Sequence, residues 1–403
     1  MWELLGFLAA LWWALSFVVL LANLWGALAQ PAIQRRRLPA SPLTPLPPVS
    51  IIAPVKLRDP GFVRAFNSLF TLDYPDYEIL VGSAEAQSTA LETAQGIAAA
   101  YPDRPCRLIH SDGTQAVSPK MNVLWRPLQE ARHDYVLTKD SNITFSPKTL
   151  RVVLRSMAPD IGLVVMVPVA VRAKGLAGEI EAFLINGHAR LLLTASALGQ
   201  GFGVGKVMLF RRSDLARIGG LEALSHSLAE DSALSKTLAA HGLRTVFAPI
   251  TVEQETGART FRDIYQRQCR WAVIRRKEEP RSFPLEPLSS PLPAALASLL
   301  AAPLLGIPAW MGFAGTLLLW FLLETGCAIL KGWEVSALTP FAFLGREILA
   351  LAAWLRAFTT HQVVWAQGRF DARHGARHPT EAAEPRGTAE TATPGDTRGI
   401  QSI

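Results

Sequence analysis

The chain has 403 residues, half of them hydrophobic, with 11 Trp and a positive mean hydropathy. It is too apolar for an ordinary soluble enzyme, and with 18% charged residues it is too polar for a bundle made only of membrane helices. The net charge of +7 sits in arginine clusters beside apolar segments rather than in one long basic stripe, which favours an anionic bilayer surface over nucleic acid. Cys106, Cys269 and Cys327 stand far apart, with no metal-ligand or redox spacing, and fit a reducing compartment.

Residues 1–30 hold an almost unbroken apolar run followed by Arg35-Arg36-Arg37. At about 1.5 Å per residue the run suits one bilayer crossing, with the arginines cytoplasmic and the amino terminus outside. Ala27-Leu28-Ala29 resembles a cleavage site, but the charged start of a signal peptide is missing, so an anchor is expected. Residues 31–48 read as an arginine- and proline-rich linker, stiff and extended over 39–48.

From Val49 strands and helices alternate: strand 49–56, helix 62–70, strand 77–82, helix 90–100, then strands 107–110, 134–138 and 162–169. This rhythm predicts a mostly parallel sheet covered on both faces, in an α/β domain over 49–283. Pro119-Lys120-Met121-Asn122 starts a helix, so Lys120 lies near a positive helix end; by itself it is a solvated surface lysine. In Tyr135-Val136-Leu137-Thr138-Lys139-Asp140-Ser141-Asn142 an apolar run stops at an acid, a hydroxyl and an amide. A helix capped by Ser146, with Pro147 first, is expected next. Asp140 therefore falls at the carboxyl end of a buried strand, the edge where open α/β sheets bind ligands. Asp140 and Asn142 offer two oxygens that suit a hard divalent ion carrying a diphosphate, although the same residues alone read as an Asx-turn.

Farther on, Glu230-Asp231 opens an amphipathic helix, where a carboxylate either offsets the helix dipole or serves as a fixed base. Residues 261–276 form a helix carrying Arg267-Gln268-Cys269-Arg270-Trp271, which without other evidence is an interfacial helix with snorkelling arginines. Residues 292–330 hold two apolar blocks interrupted by Pro303, Gly306 and Pro308, expected as a membrane hairpin of two short spans. Residues 336–368 carry Arg346, Glu347 and Arg356 among apolar residues and read as an interfacial element, with a further span as the alternative. Residues 371–403 lack periodicity and are expected to be disordered.

Together these stretches resemble the inverting GT-A glycosyltransferases related to family 2, and most of all the ceramide glucosyltransferases of glycosyltransferase family 21. That family carries an Asp in a D-S-N/G element, an E-D element at a helix start and a (Q/R)-x-x-R-W motif. Asp140-Ser141-Asn142, Glu230-Asp231 and Arg267-Gln268-Cys269-Arg270-Trp271 resemble them in the same order, within a likeness over 49–277. One element departs. Where the family has an acid-rich D-x-x-D-P type cluster after the second strand, this chain reads Gly82-Ser83-Ala84-Glu85-Ala86-Gln87-Ser88, with Glu85 as its one acid.

The resemblance implies an α/β GT-A (Rossmann-like) domain with transmembrane helices at both ends, on the cytoplasmic face of a membrane such as the bacterial inner membrane. It implies transfer of a hexose, glucose above all, from a UDP-sugar to the primary hydroxyl of a ceramide-like lipid. A hopanoid or other lipid glycosyltransferase, and an impaired membrane scaffold, are the alternatives. In that reading Asp231 is the general base, Arg270 grips the diphosphate and Trp271 walls off water. Asp140 with Asn142 holds Mg2+ or Mn2+; Lys56, Glu85, Lys120 and Arg267 complete the donor contacts; His188 and Glu181 lie on the acceptor side.

Overall fold

The computed structural model describes residues 2–37, 45–56, 58–111, 113–365 and 368–371. A long helix α1 (Trp2–Arg37) precedes β1 (Val49–Pro54), α2 (Phe62–Phe70), β2 (Tyr77–Ser83), α3 (Thr89–Ala99), β3 (Cys106–His110), α4 (Pro119–Glu130) and β4 (Tyr135–Lys139). Then come β5 (Ile143–Thr144), α5 (Thr149–Leu154), β6 (Ile161–Lys174), α6 (Gly175–Ala197), β7 (Val207–Arg211), α7 (Arg212–Arg217), α8 (Glu222–Ser225), α9 (Glu230–Ala240), β8 (Arg244–Ala258) and α10 (Phe261–Glu278). The chain continues through α11 (Pro291–Ala301), α12 (Ala309–Leu330) and α13 (Thr339–Thr359) to a hairpin of β9 (Gln362–Trp365) and β10 (Gly368–Asp371).

The eight-stranded sheet runs β3-β2-β1-β4-β7-β6-β8-β5. β3, β2, β1 and β4 pair in parallel, as do β6 and β8, whereas β7 runs against both its neighbours and β5 runs against β8. Because β1 and β2 are covered on both faces, their residues are buried without alternation, and adjacent positions feed different cores. Ile51 and Phe66 belong to one core, and Ile52, Leu124 and Phe210 to the other. The reversal at β7 matters for the site. It sets Val207 opposite Lys139, so the residues entering β7 arrive beside those leaving β4.

Four segments differ from the sequence expectations. The expected linker at 31–48 is helical as far as Arg37, with Pro31 inside the helix. Proline lacks the N–H that would bond the Ala27 carbonyl, and that oxygen accepts from Lys331 Nζ at 3.2 Å instead. Gln34 and Arg37 donate to Ser196 O at 3.0 and 3.1 Å, adding side-chain donors to a carbonyl at the end of α6. The helix expected to open at Ser146-Pro147 starts at Thr149, because Ser146 and Pro147 form a turn in which Thr149 N–H donates to Ser146 O. In the expected hairpin at 292–330, α12 alone is long and apolar enough to cross a membrane; its partner Pro291–Leu305 reaches that length only by joining Phe283–Ser289 across a 78° bend. Residues 336–368 are not one element: α13 ends at Thr359 and a strand pair follows. The tail expected to be disordered lies, beyond Asp371, outside the described residues.

α1 is long and apolar enough to cross a membrane as well. Trp13 Nε1 donates to Thr316 Oγ1 at 2.9 Å and Lys331 reaches Ala27, so α1 and α12 run side by side in one direction. α1 also packs tightly on α6: a Cβ on Gly26 would lie 2.7 Å from Thr194 Cα, a clash that only glycine avoids.

Candidate active site

Asp140 follows the last residue of β4, and its N–H donates to Lys206 O at 3.0 Å. Each of its carboxylate oxygens meets a lysine: Oδ1 lies 2.8 Å from Lys120 Nζ and Oδ2 lies 2.8 Å from Lys206 Nζ. Burial raises the Asp140 carboxyl, but the two ammonium groups overcome it and hold the group down to about 2. Lys120 stands in the first turn of α4, whose N-cap is Ser118. Its Nζ is 3.2 Å from Glu230 Oε1 and bonds Gly205 O. Burial lowers the Lys120 ammonium, yet Asp140 and Glu230 raise it well above its ordinary value. Burial raises the Glu230 carboxyl, Asp231 beside it does the same, and Lys120 only partly offsets them.

Asp231 sits in the first turn of α9. Its Oδ2 accepts from Gly205 N at 2.6 Å and its Oδ1 from Ser232 N at 2.8 Å, so two backbone donors fix its orientation. The segment that supplies this contact has to lie flat on the start of α9. A Cβ on Gly203 would sit 1.8 Å from Asp231 O, and one on Gly205 would sit 3.1 Å from both Asp231 Oδ2 and Lys120 Nζ. Asp140 and Asp231 are therefore joined by a short relay through Lys120 and Gly205.

The helix α10 brings Arg270 and Trp271 to the same space. Burial and the neighbouring Arg267 push the Arg270 guanidinium down to about 10, with Asp140 pulling it back up. Arg267 bonds Glu181, which also pairs with Arg259 at 2.8 Å. Glu181 is only 1% exposed and stands behind the two arginines rather than on the cavity, which corrects its expected place on the acceptor side. His188 faces the cavity, and the enclosing protein together with Arg275 pushes its imidazole down to about 4. Glu85 is the second correction. It folds into a loop with Ser83, whose hydroxyl meets the Glu85 backbone at 3.0 Å, and does not line the cavity.

The cavity holds about 1160 Å3 and is lined by Lys56, Lys120, Asp140, Asn142, Asp231, Arg270 and Trp271 at one end. Pockets for one small molecule span roughly 300–1,000 Å3, so there is room for a nucleotide sugar and part of a second molecule. Sequence reasoning missed two residues beside Asp140 and Ser141. Lys206 stands immediately before the apolar strand β7, and Asp59, five residues past β1, accepts from Ser141 Oγ at 2.7 Å. Among the described residues no group of three or more His, Cys, Asp or Glu could hold a metal. Asp140, Asn142 and Asp59 line one cavity and offer the oxygen chemistry of a Mg2+-type ion, which takes one or two carboxylates and completes its shell with water and substrate phosphate; both Asp140 oxygens are here held by lysines. Chemically, the site sets the cations of Lys120, Lys206 and Arg270 and the oriented carboxylate of Asp231 on one cavity.

The model of glycosyl transferase family 21 matches residues 9–378. Ceramide glucosyltransferase 1 of Caenorhabditis elegans is 24% identical over 340 residues, which cover 82% of this chain and 73% of the relative. Ceramide glucosyltransferase of Komagataella phaffii is 23% identical, with 91% of this chain and 90% of the relative covered. Among solved structures, a mannosyltransferase of Pyrobaculum calidifontis in complex with GDP-Man and Mn2+ is similar, with a TM-score of 0.54 at 19% identity, covering 88% of this chain and 99% of that one. That likeness establishes the fold as GT-A.

Proposed function

Since the chain belongs to glycosyl transferase family 21, we propose that it moves a hexose, glucose above all, from a UDP-sugar to the primary hydroxyl of a membrane lipid of the ceramide type, with inversion at the anomeric carbon. The observation that carries this reading is the relay placing Asp140 and Asp231 on one cavity. The relatives named for ceramide support the acceptor class. The two membrane-length helices support a bilayer setting, with Arg35, Arg36 and Arg37 keeping the α/β domain on the cytoplasmic side.

In this mechanism Asp231 takes the proton from the lipid hydroxyl as its oxygen attacks the anomeric carbon. The bond from that carbon to the diphosphate breaks, and UDP leaves from the opposite face. Arg270, Lys120 and Lys206 receive the negative charge that grows on the diphosphate; the guanidinium can do so with two parallel bonds. Asp140 and Asn142 would hold a divalent ion, which when bound supplies further positive charge there. Trp271 excludes water that would otherwise hydrolyse the donor. The backbone donors on Asp231 keep its carboxylate aimed while the acceptor arrives.

The test is incubation of purified protein with a panel of UDP-sugars and membrane lipids, read by mass spectrometry. A mass gain of one hexose on ceramide is expected. Transfer to none of the lipids, with UDP-sugar still bound in calorimetry, would remove the reading.

A further inference from the structure

The catalytic cavity does not end at the sheet. It is also lined by Asn23 of α1, Arg190 of α6, Glu324 of α12, and Arg346 and Glu347 of α13. Four of these are charged and at most 6% exposed: Arg190, Glu324, Arg346 and Glu347. Arg190 and Arg346 both bond Glu324, the latter at 2.7 Å, and Arg346 Nε bonds Glu347 at 2.7 Å. Ser290 Oγ and Trp320 Nε1 complete the carboxylates, Trp320 at 3.1 Å from Glu324. Glu324 lies in the 22-residue α12, six residues before its end at Leu330, so it sits about 9 Å inside an otherwise apolar helix at 1.5 Å per residue. Charges at such depth are costly, face the interior of the bundle, and by default mark a functional site.

Two properties indicate what binds there. The quartet is balanced, two arginines against two glutamates, so it offers no net charge to hold a phosphate. Each guanidinium carries five N–H donors, and the carboxylates take one from Arg190 and two from Arg346, which leaves polar hydrogens for the cavity these residues line. Apolar residues accompany them, with Leu20, Leu351 and Trp354 lining the same cavity.

We infer that Arg190, Glu324, Arg346 and Glu347 form the recognition site for the acceptor: they bind an uncharged amide or hydroxyl group at the root of a lipid's alkyl chains and exclude anionic lipids. The inference rests on the lipid-acceptor reading above and adds to it the residues that select the acceptor. In the catalytic sequence these are positioning residues. They hold the lipid so that its primary hydroxyl reaches Asp231, which lines the same cavity.

The experiment uses the full-length protein in nanodiscs without any sugar donor. A photoactivatable ceramide is cross-linked and its attachment mapped by peptide mass spectrometry, with diacylglycerol and phosphatidic acid as competitors. UDP binding by calorimetry serves as the control for folding. Labelling is expected on the peptides around Glu324 and Arg346, with diacylglycerol competing at least tenfold better than phosphatidic acid. In Glu324→Gln the quartet gains positive charge, and that preference is expected to shrink at least threefold while UDP affinity is kept. In Arg346→Lys, labelling is expected to fall about tenfold, again with UDP binding kept. Labelling elsewhere, or variants that fold and keep the wild-type preference, would overturn the inference. Because no turnover is read, a protein that transfers sugar but labels elsewhere contradicts the recognition site alone. One that labels as expected but transfers no sugar contradicts the proposed reaction.

Discussion

Two ion clusters line one cavity, and they are built from different residues. At the sheet end, Lys120 and Lys206 share Asp140, with side chains 16 and 22% exposed. At the helical end, Arg190 and Arg346 share Glu324, with side chains 8 and 6% exposed. Lysine is a mobile point charge that can turn from a carboxylate to an arriving phosphate, whereas arginine is a rigid fork that keeps its partners. The first cluster is thus suited to a charge that comes and goes. The second holds three helices in fixed positions around a neutral guest.

The sharpest way to break this contrast is at the carboxylate beside the lysine cluster. Asp231→Asn is expected to lower transfer by about 10²–10⁴-fold, the range for a lost general base, with UDP affinity unchanged in calorimetry. Next in size is Glu324→Ala, which leaves buried Arg190 without its carboxylate and Arg346 with Glu347 alone, and should destabilise the fold by about 3–5 kcal/mol in denaturant titration. Lys206→Ala should do the reverse: stability within about 1 kcal/mol, because the pair is partly solvated, and UDP-sugar binding weaker by about tenfold, the loss of about 1.4 kcal/mol. Equal costs in the last two variants would erase the distinction between the clusters.

Acidity gives a smaller effect. The folded Asp140 carboxyl is held at about 2, below its ordinary value, so its stabilising contribution is complete above about pH 4 and is lost as pH falls towards 2. Asp140→Asn should therefore flatten the dependence of Tm on pH across that window, and a slope equal to the wild type's would show that the lysines do not grip it. Smallest of all, Glu85→Gln should leave donor affinity unchanged, since Glu85 stands off the cavity. A measurable loss would place that loop in the donor site.

Much of the sheet end was readable from local pattern. The apolar run ending at Asp140, the helix starts at Pro119 and Glu230, and the helix bearing Arg270 all lie where periodicity and capping put them. Lys206 was missed because its meaning depends on strand direction: only when β7 runs against β4 does its entry point meet the exit of β4. Asp59 was hidden in the same way, in the loop after β1, next to β4 in space but not in sequence. Glu181 was given the wrong setting because a helical glutamate does not announce two arginines supplied by a distant strand end and helix. The helical end was the least legible. Arg346 and Glu347 looked like charges bound for an interface, and nothing near them in sequence points to Arg190 or Glu324, which reach them from two other helices.

The account stands on a single displacement across one cleft, with Asp231 on the acceptor side and the diphosphate on the other. The most direct test is the anomeric configuration of the lipid product, read by proton NMR after reaction with an α-linked UDP-hexose. A β-linked glycolipid, absent with Asp231→Asn, is the predicted result; an α-linked product would contradict it.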